Sequence, residues 1–186
     1  MSTALLALLP PRACSEALEW VASLPESTTP AEAWAQAPRG QWTIWLLRRS
    51  PAGQGDEALR KFRLVALECA ELVVEIHDRR APEPLAPDLA ALRAWVERGE
   101  GNLAQIRSRI WAKRKAFDDA ADAYAVDDAA CAAYAATASD AAAYAYAVAV
   151  DVDEVAAASR DRAAMQARTA EIVRRHFPVC PIEGEP

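Results

Sequence analysis

The stretch Ala116–Ser159, AFDDAADAYAVDDAACAAYAATASDAAAYAYAVAVDVDEVAAAS, decides the fold. It holds 21 alanines, all four tyrosines and nine carboxylates, with no lysine or arginine. Alanine has the highest helix propensity because its side chain loses no rotamer freedom in a helix. The surrounding run, Asn102 to Phe177, contains neither glycine nor proline, so nothing in it breaks a helix. The C-terminal two-fifths of the chain is therefore expected to be almost wholly helical. One helix over that run would measure roughly 114 Å, against about 40 Å for a compact chain of this size. The chain must turn back. Asp127-Asp128 and Asp151 to Glu154 are the expected breaks, because Asp caps helices and Glu154 stands where a capping box needs a carboxylate. Thr137 to Asp140 is a further candidate. Three Ala-rich helices of roughly 36 Å would result.

Upstream, the punctuation is clearer. Thr29-Pro30-Ala31-Glu32 combines a Thr cap, Pro at the first helical position and Glu placed to bond back to the cap. Cys14 to Leu24 aligns Ala17, Leu18, Val21 and Leu24 on one side, and Gln41 to Arg49 carries Trp42, Trp45 and Leu46 together. Pro25, Pro38-Arg39-Gly40 and the loop Ser50 to Gly55 separate these short helices. From Asp56 to His77 the apolar positions Leu59, Phe62, Ala66, Cys69, Val73 and Ile76 step by three and four, the stripe of an amphipathic helix. Asp78 to Ala86 reads as an extended connection. Pro87-Asp88 then opens a helix that stops near Gly99 and Gly101, and Asn102 with Gln105 resembles another capping box. No strand pattern is present. The expected fold is all-α, a compact bundle of about eight helices whose last three are long and Ala-rich. We expect one domain over 1–186, with a Trp-rich half (1–101), an Ala/Tyr/Asp-rich half (102–178) and a tail (179–186).

Charge is distributed unevenly along this frame. The net charge of −6 conceals −9 within 116–159 and +3 elsewhere. Such a balance argues against a general nucleic-acid binder. The apolar stretch Ala129 to Val150 contains Asp140 as its only charge. An Asp at a bilayer centre costs about 2.5–3.5 kcal/mol, and Ala offers little to offset it, so a buried central helix is expected there rather than a membrane span. Asp140 is expected either on a narrow exposed strip or against a donor such as Tyr144. The six tryptophans all lie at or before Trp111 and are read as core. Cys14, Cys69, Cys131 and Cys180 are spread singly, and Met1 to Pro11 has no basic residue before its short apolar run. A reduced, cytoplasmic setting is expected.

Few residues offer chemistry. Asp118-Asp119-Ala120-Ala121-Asp122 resembles the metal-binding motif of isoprenoid synthases, with carboxylates at i and i+4 on one helix face that could hold Mg²⁺ against a diphosphate. The chain is short for that fold, and no second metal motif accompanies the first. His77 and His176 belong to no ligand set, and each suits the C-terminal dipole of a helix. No nucleophile elbow, phosphate loop or dinucleotide turn is present. Arg107, Arg109, Lys113, Arg114 and Lys115 are expected to pair with Asp118, Asp119 and neighbouring helices. We therefore expect no enzyme, no cofactor and no metal.

Two segments bracket the Ala/Tyr/Asp helices: Trp34-Ala35-Gln36-Ala37-Pro38-Arg39-Gly40-Gln41-Trp42-Thr43-Ile44-Trp45-Leu46 and Ile172-Val173-Arg174-Arg175-His176-Phe177-Pro178. With them the chain, from Ala13-Cys14 to Pro178, resembles the immunity-protein-five-like family of bacterial polymorphic toxin systems. The resemblance implies an all-α protein that binds and neutralises a cognate toxin inside the producing cell. It carries no catalytic residues to transfer. The expected partner is a protein toxin with a basic contact face, bound through Asp118, Asp119, Asp122, Asp127 and Asp128, with Tyr124 as an aromatic anchor between them. A self-associating helical protein and the Mg²⁺-dependent enzyme are the alternatives.

Overall fold

The Thr29 signal is realised atom for atom. Glu32 N donates to Thr29 Oγ1 at 3.2 Å, Thr29 N donates to Glu32 Oε2 at 2.8 Å, and Pro30 opens the helix. The computed structural model describes residues 3–9, 12–77, 85–118 and 162–182. Among these it contains eight α-helices, one 3₁₀ turn and no strand. The helices are α1 (Thr3–Leu8), α2 (Ser15–Ser23), α3 (Pro30–Gln36), α4 (Gly40–Leu47), α5 (Gly55–His77), α6 (Ala86–Arg98), α7 (Leu103–Asp118) and α8 (Arg162–His176). The 3₁₀ turn Pro51–Gly53 joins α4 to α5.

The glycines end helices as their chemistry requires. Gly99 closes α6 at φ 71° and accommodates the left-handed turn that a side chain would resist. Three residues on, Asn102 Oδ1 accepts from Gln105 N at 3.1 Å and caps α7. The six residues of α1 carry no charge.

The chain does fold back on itself. Ile106 and Ile110 of α7 share one apolar core with Met165, Ile172 and Val173 of α8. The run from Asn102 to Phe177 is therefore not one rod. The expected breaks at 127–128, 137–140 and 151–154 lie outside the described residues.

At the centre stands α5, whose buried set is wider than the expected stripe. Ala58, Phe62, Val65, Ala66, Leu67, Cys69, Ala70 and Leu72 are all buried, because α6, α8 and the 3₁₀ turn pack around it. Phe62 meets Phe177 with ring centroids 4.9 Å apart, a tilted arrangement that suits two aromatic quadrupoles.

On α4 the inward face differs from the expected one. Gly40, Thr43, Ile44 and Leu47 are buried, whereas Trp42, Trp45 and Leu46 are only partly so. The helix is apolar on several sides, and its smaller residues turn to the closest neighbour, α8. The tryptophans are likewise less uniformly internal than expected. Trp34 is buried, Trp20, Trp42, Trp45 and Trp95 are half-buried, and Trp111 is 51% exposed. Ile110 takes the inward position of α7, and the next residue is rotated about 100° away from it. The segment after Pro178 is not a free tail at its start, for Cys180 is buried and Ile182 packs on the core.

A second, smaller cluster joins Leu5, Val21 and Leu24, with Leu9, Trp20 and Ala33 against it. It belongs to α1, α2 and α3 and is separate from the main core.

Candidate functional site

Of the six residues expected to contact a partner, Asp118 is the last residue of α7. Asp119, Asp122, Tyr124, Asp127 and Asp128 lie outside the described residues, as does Asp140. The polar architecture of the described residues is concentrated at two junctions of α8 and one of α6.

The first junction joins α8 to α3 and α4. Trp34 Nε1 donates to the Phe177 carbonyl at 3.1 Å, across 143 positions of sequence and in a buried setting. Arg174 Nη1 donates to the Ala37 carbonyl at 2.8 Å. Burial pushes the Arg174 guanidinium below its ordinary value, and the charge of Glu171 acts against that effect. Further up α8, Gly40 lies directly on Thr169: a Cβ at Gly40 would stand 2.4 Å from Thr169 Cγ2. The absent side chain is what allows α4 and α8 to approach so closely.

The second junction centres on Glu68 of α5, whose side chain is 13% exposed. Its Oε2 accepts from Arg175 Nη1 at 2.7 Å, its Oε1 lies 2.9 Å from His176 Nε2, and Arg93 Nη1 stands 3.9 Å away. Burial alone would push the Glu68 carboxyl up. The hydrogen bond from His176 and the charges of His176, Arg175 and Arg93 outweigh burial and hold it below the usual carboxylate range. Arg93 also forms a forked pair with Glu71, at 3.2 and 2.6 Å, and reaches Glu97 at 3.2 Å. Glu68, Glu71, Arg93 and Arg175 wall a polar recess of about 360 Å³ together with Arg168 and Glu171. Three carboxylates and three guanidinium groups balance there. A charged visitor of either sign would have to break a pair already made, so the recess reads as a fastening of α8 to α5 and α6.

The third junction is Asp88, 3% exposed in the first turn of α6. Arg109 Nε lies 2.7 Å from Oδ1 and Lys113 Nζ 2.9 Å from Oδ2. Burial opposes ionisation here too, and the hydrogen bonds and charges of Arg109 and Lys113 overcome it, lowering the Asp88 pKa. The basic group on α7 thus meets a neighbouring helix, as expected in part, through a carboxylate that sequence reasoning had assigned only to the opening of α6.

No described group is set up as a nucleophile. Burial pushes the Cys69 thiol to about 12, with Glu68 adding to the effect, so it carries almost no thiolate at neutral pH. His176 is engaged by Glu68 rather than by a hydroxyl or thiol. Among the described residues no group of three or more His, Cys, Asp or Glu is placed to hold a metal ion, and no helix is long and apolar enough to cross a membrane.

No family model, curated protein or solved structure matches the chain. The structure brings together the two segments that bracket the Ala/Tyr/Asp-rich window. Trp34 and Ala37 belong to one, Arg174 and Phe177 to the other, and the hydrogen bonds above run directly between them.

The roles of Glu68 and Asp88 were not read from sequence. The available signal was weak: an acid on the helical stripe's flank, and a carboxylate at a Pro-opened helix start followed by an i, i+4 basic pair on the next helix. Each pattern has many surface counterparts.

Proposed function

We propose that this chain is an immunity protein that binds a cognate bacterial toxin and neutralises it by steric and electrostatic occlusion. The observation that carries the reading is the joining of the two resemblance segments. Residues of those segments 143 positions apart meet in one buried hydrogen bond, which belongs to the framework of the fold. A framework of that kind leaves the partner surface to be supplied elsewhere. The one-signed window 116–159, with nine carboxylates and no basic residue, is the natural source. Complementary charge chiefly accelerates encounter and rejects wrong partners, which suits an antidote that must reach its toxin first.

The test begins with the genomic neighbourhood, where a toxin gene immediately upstream would supply the partner. Converting Asp118, Asp119, Asp122, Asp127 and Asp128 together to Asn should slow association and flatten its dependence on salt. Tyr124→Ala should instead accelerate dissociation, as loss of an aromatic anchor does. Unchanged association rates for the Asn variant would dismiss the electrostatic part, and failure to protect cells from that toxin would dismiss the whole.

A further inference from the structure

Between the two apolar clusters lies a hollow of about 70 Å³ that neither cluster fills. It is walled by α1, α2, α3 and α4 and by Cys180 and Ile182 of the segment after α8. Two polar groups of the wall are already engaged: Trp34 Nε1 donates to the Phe177 carbonyl, and the Thr43 hydroxyl donates to the Gly40 carbonyl at 2.7 Å. Trp42 differs. Its ring forms part of the wall, yet its Nε1–H is buried and meets no acceptor among the described residues. Trp20, at 5.7 Å between ring centroids, and the Arg39 guanidinium, at 4.9 Å from the ring and paired with Glu16, hold that ring in place. The donor is thus fixed, and a buried donor without a partner costs stability.

The walls decide what can pair with it. A water would accept from Trp42, but its own two hydrogens need acceptors, and buried waters make about three hydrogen bonds. Among the wall side chains only the Thr43 oxygen and the weakly accepting Cys180 sulfur could receive them. A guest that accepts and has nothing to donate meets no such shortage. Size sets the other limit. A cavity of roughly 150 Å³ takes benzene, and this hollow is about half as large, so about three heavy atoms fit in place of benzene's six.

We propose that the hollow binds a small neutral molecule of about three heavy atoms that ends in a single hydrogen-bond acceptor, such as a two-carbon nitrile or aldehyde. Its acceptor takes the Trp42 Nε1–H, and its methyl end rests on the apolar walls. The site shares no residue with the acidic window and is independent of toxin binding.

Acetonitrile is the probe, and propyne, which has the same shape without a comparable acceptor, is the control. Each is added to the full chain labelled with ¹⁵N, and the six tryptophan indole signals are built-in reporters. A guest with so few heavy atoms binds no tighter than about millimolar. Acetonitrile should move the Trp42 N–H signal downfield and saturably, as a newly accepted hydrogen bond does, with Trp95 and Trp111, which lie off the walls, unmoved. Trp42→Phe keeps an aromatic wall and removes the donor. Read on Trp20 and Trp45, it should weaken acetonitrile about fivefold and leave propyne unchanged. Ala17→Leu, which fills the hollow, should abolish both responses. The proposal is overturned by a Trp42 signal that does not respond, by shifts that do not saturate, by equal movement of all indole signals, or by propyne binding as tightly as acetonitrile. If Ala17→Leu fails to fold, Trp42→Phe decides alone, and undiminished acetonitrile affinity in it overturns the assignment.

Discussion

Trp34 and Phe177 are fastened by one buried hydrogen bond of 3.1 Å from the indole N–H to the backbone carbonyl. The bond ties the third helix to the residue that follows the last one. Trp34→Phe keeps most of the apolar volume and removes the donor, leaving the Phe177 carbonyl without it. A loss of about 1–3 kcal/mol in unfolding free energy is expected, measured by urea denaturation, with the helical circular-dichroism signal preserved.

Gly40 and Thr169 define the closest approach of α4 to α8. In Gly40→Ala the new methyl would stand 2.4 Å from Thr169 Cγ2 and 2.9 Å from the Thr169 backbone carbon. The helices must move apart, at a cost of about 1–3 kcal/mol typical of overpacking. Thr169→Ser removes only the nearer of those atoms. Added to Gly40→Ala, it should recover part of the lost stability and not all, a pattern that a double-mutant cycle reads directly.

Asp88 gives the fold an acid-sensitive fastening. Its folded pKa lies below the ordinary 3.8, so its contribution is present above that value and is lost as pH falls through the folded one. Glu68, lowered from 4.5, acts in the same direction. Stability should therefore be level near neutrality and decline on acidification below about pH 4. Asp88→Asn should lower stability at pH 7 by about 1–2 kcal/mol, less than for a fully buried pair because Arg109 is half exposed. It should also flatten the acid limb, and denaturation midpoints between pH 2.5 and 7 test both effects.

Thiol reactivity should separate by burial. Cys14 is exposed, whereas Cys69 and Cys180 are buried. Brief treatment with iodoacetamide at pH 8 should label Cys14 and spare Cys69, whose thiol titrates near 12. Peptide mapping by mass spectrometry checks this, and adding denaturant should equalise the labelling.

Local signals in the sequence were read well where the chemistry is itself local. The Thr29 box, the stop at Gly99 and the Asn102 cap involve residues within a few positions; the first two form as expected, and of the expected Asn102 box the bond from Gln105 N to Asn102 Oδ1 is seen. The return of the chain was legible from length alone. The inward face of α4 was not, since that depends on how near α8 comes, and nearness is set by the distant pair Gly40 and Thr169. Trp111 misled for a related reason: ring size argued for burial, but the phase of α7 is set by Ile106 and Ile110. The candidate partner residues rest on charge composition, which says how many carboxylates a segment carries and not which of them share a face.

The position of α8 has a consequence for synthesis. Ile44 and Leu47 are fully buried, and α8 provides much of the cover for α4. A nascent chain reaches Arg162 only after α4, α5, α6 and α7 have been made, so those helices leave the ribosome with that seam uncovered. The seam can close only once α8 has followed, and a message truncated before α8 would yield a product destined for chaperones or proteolysis.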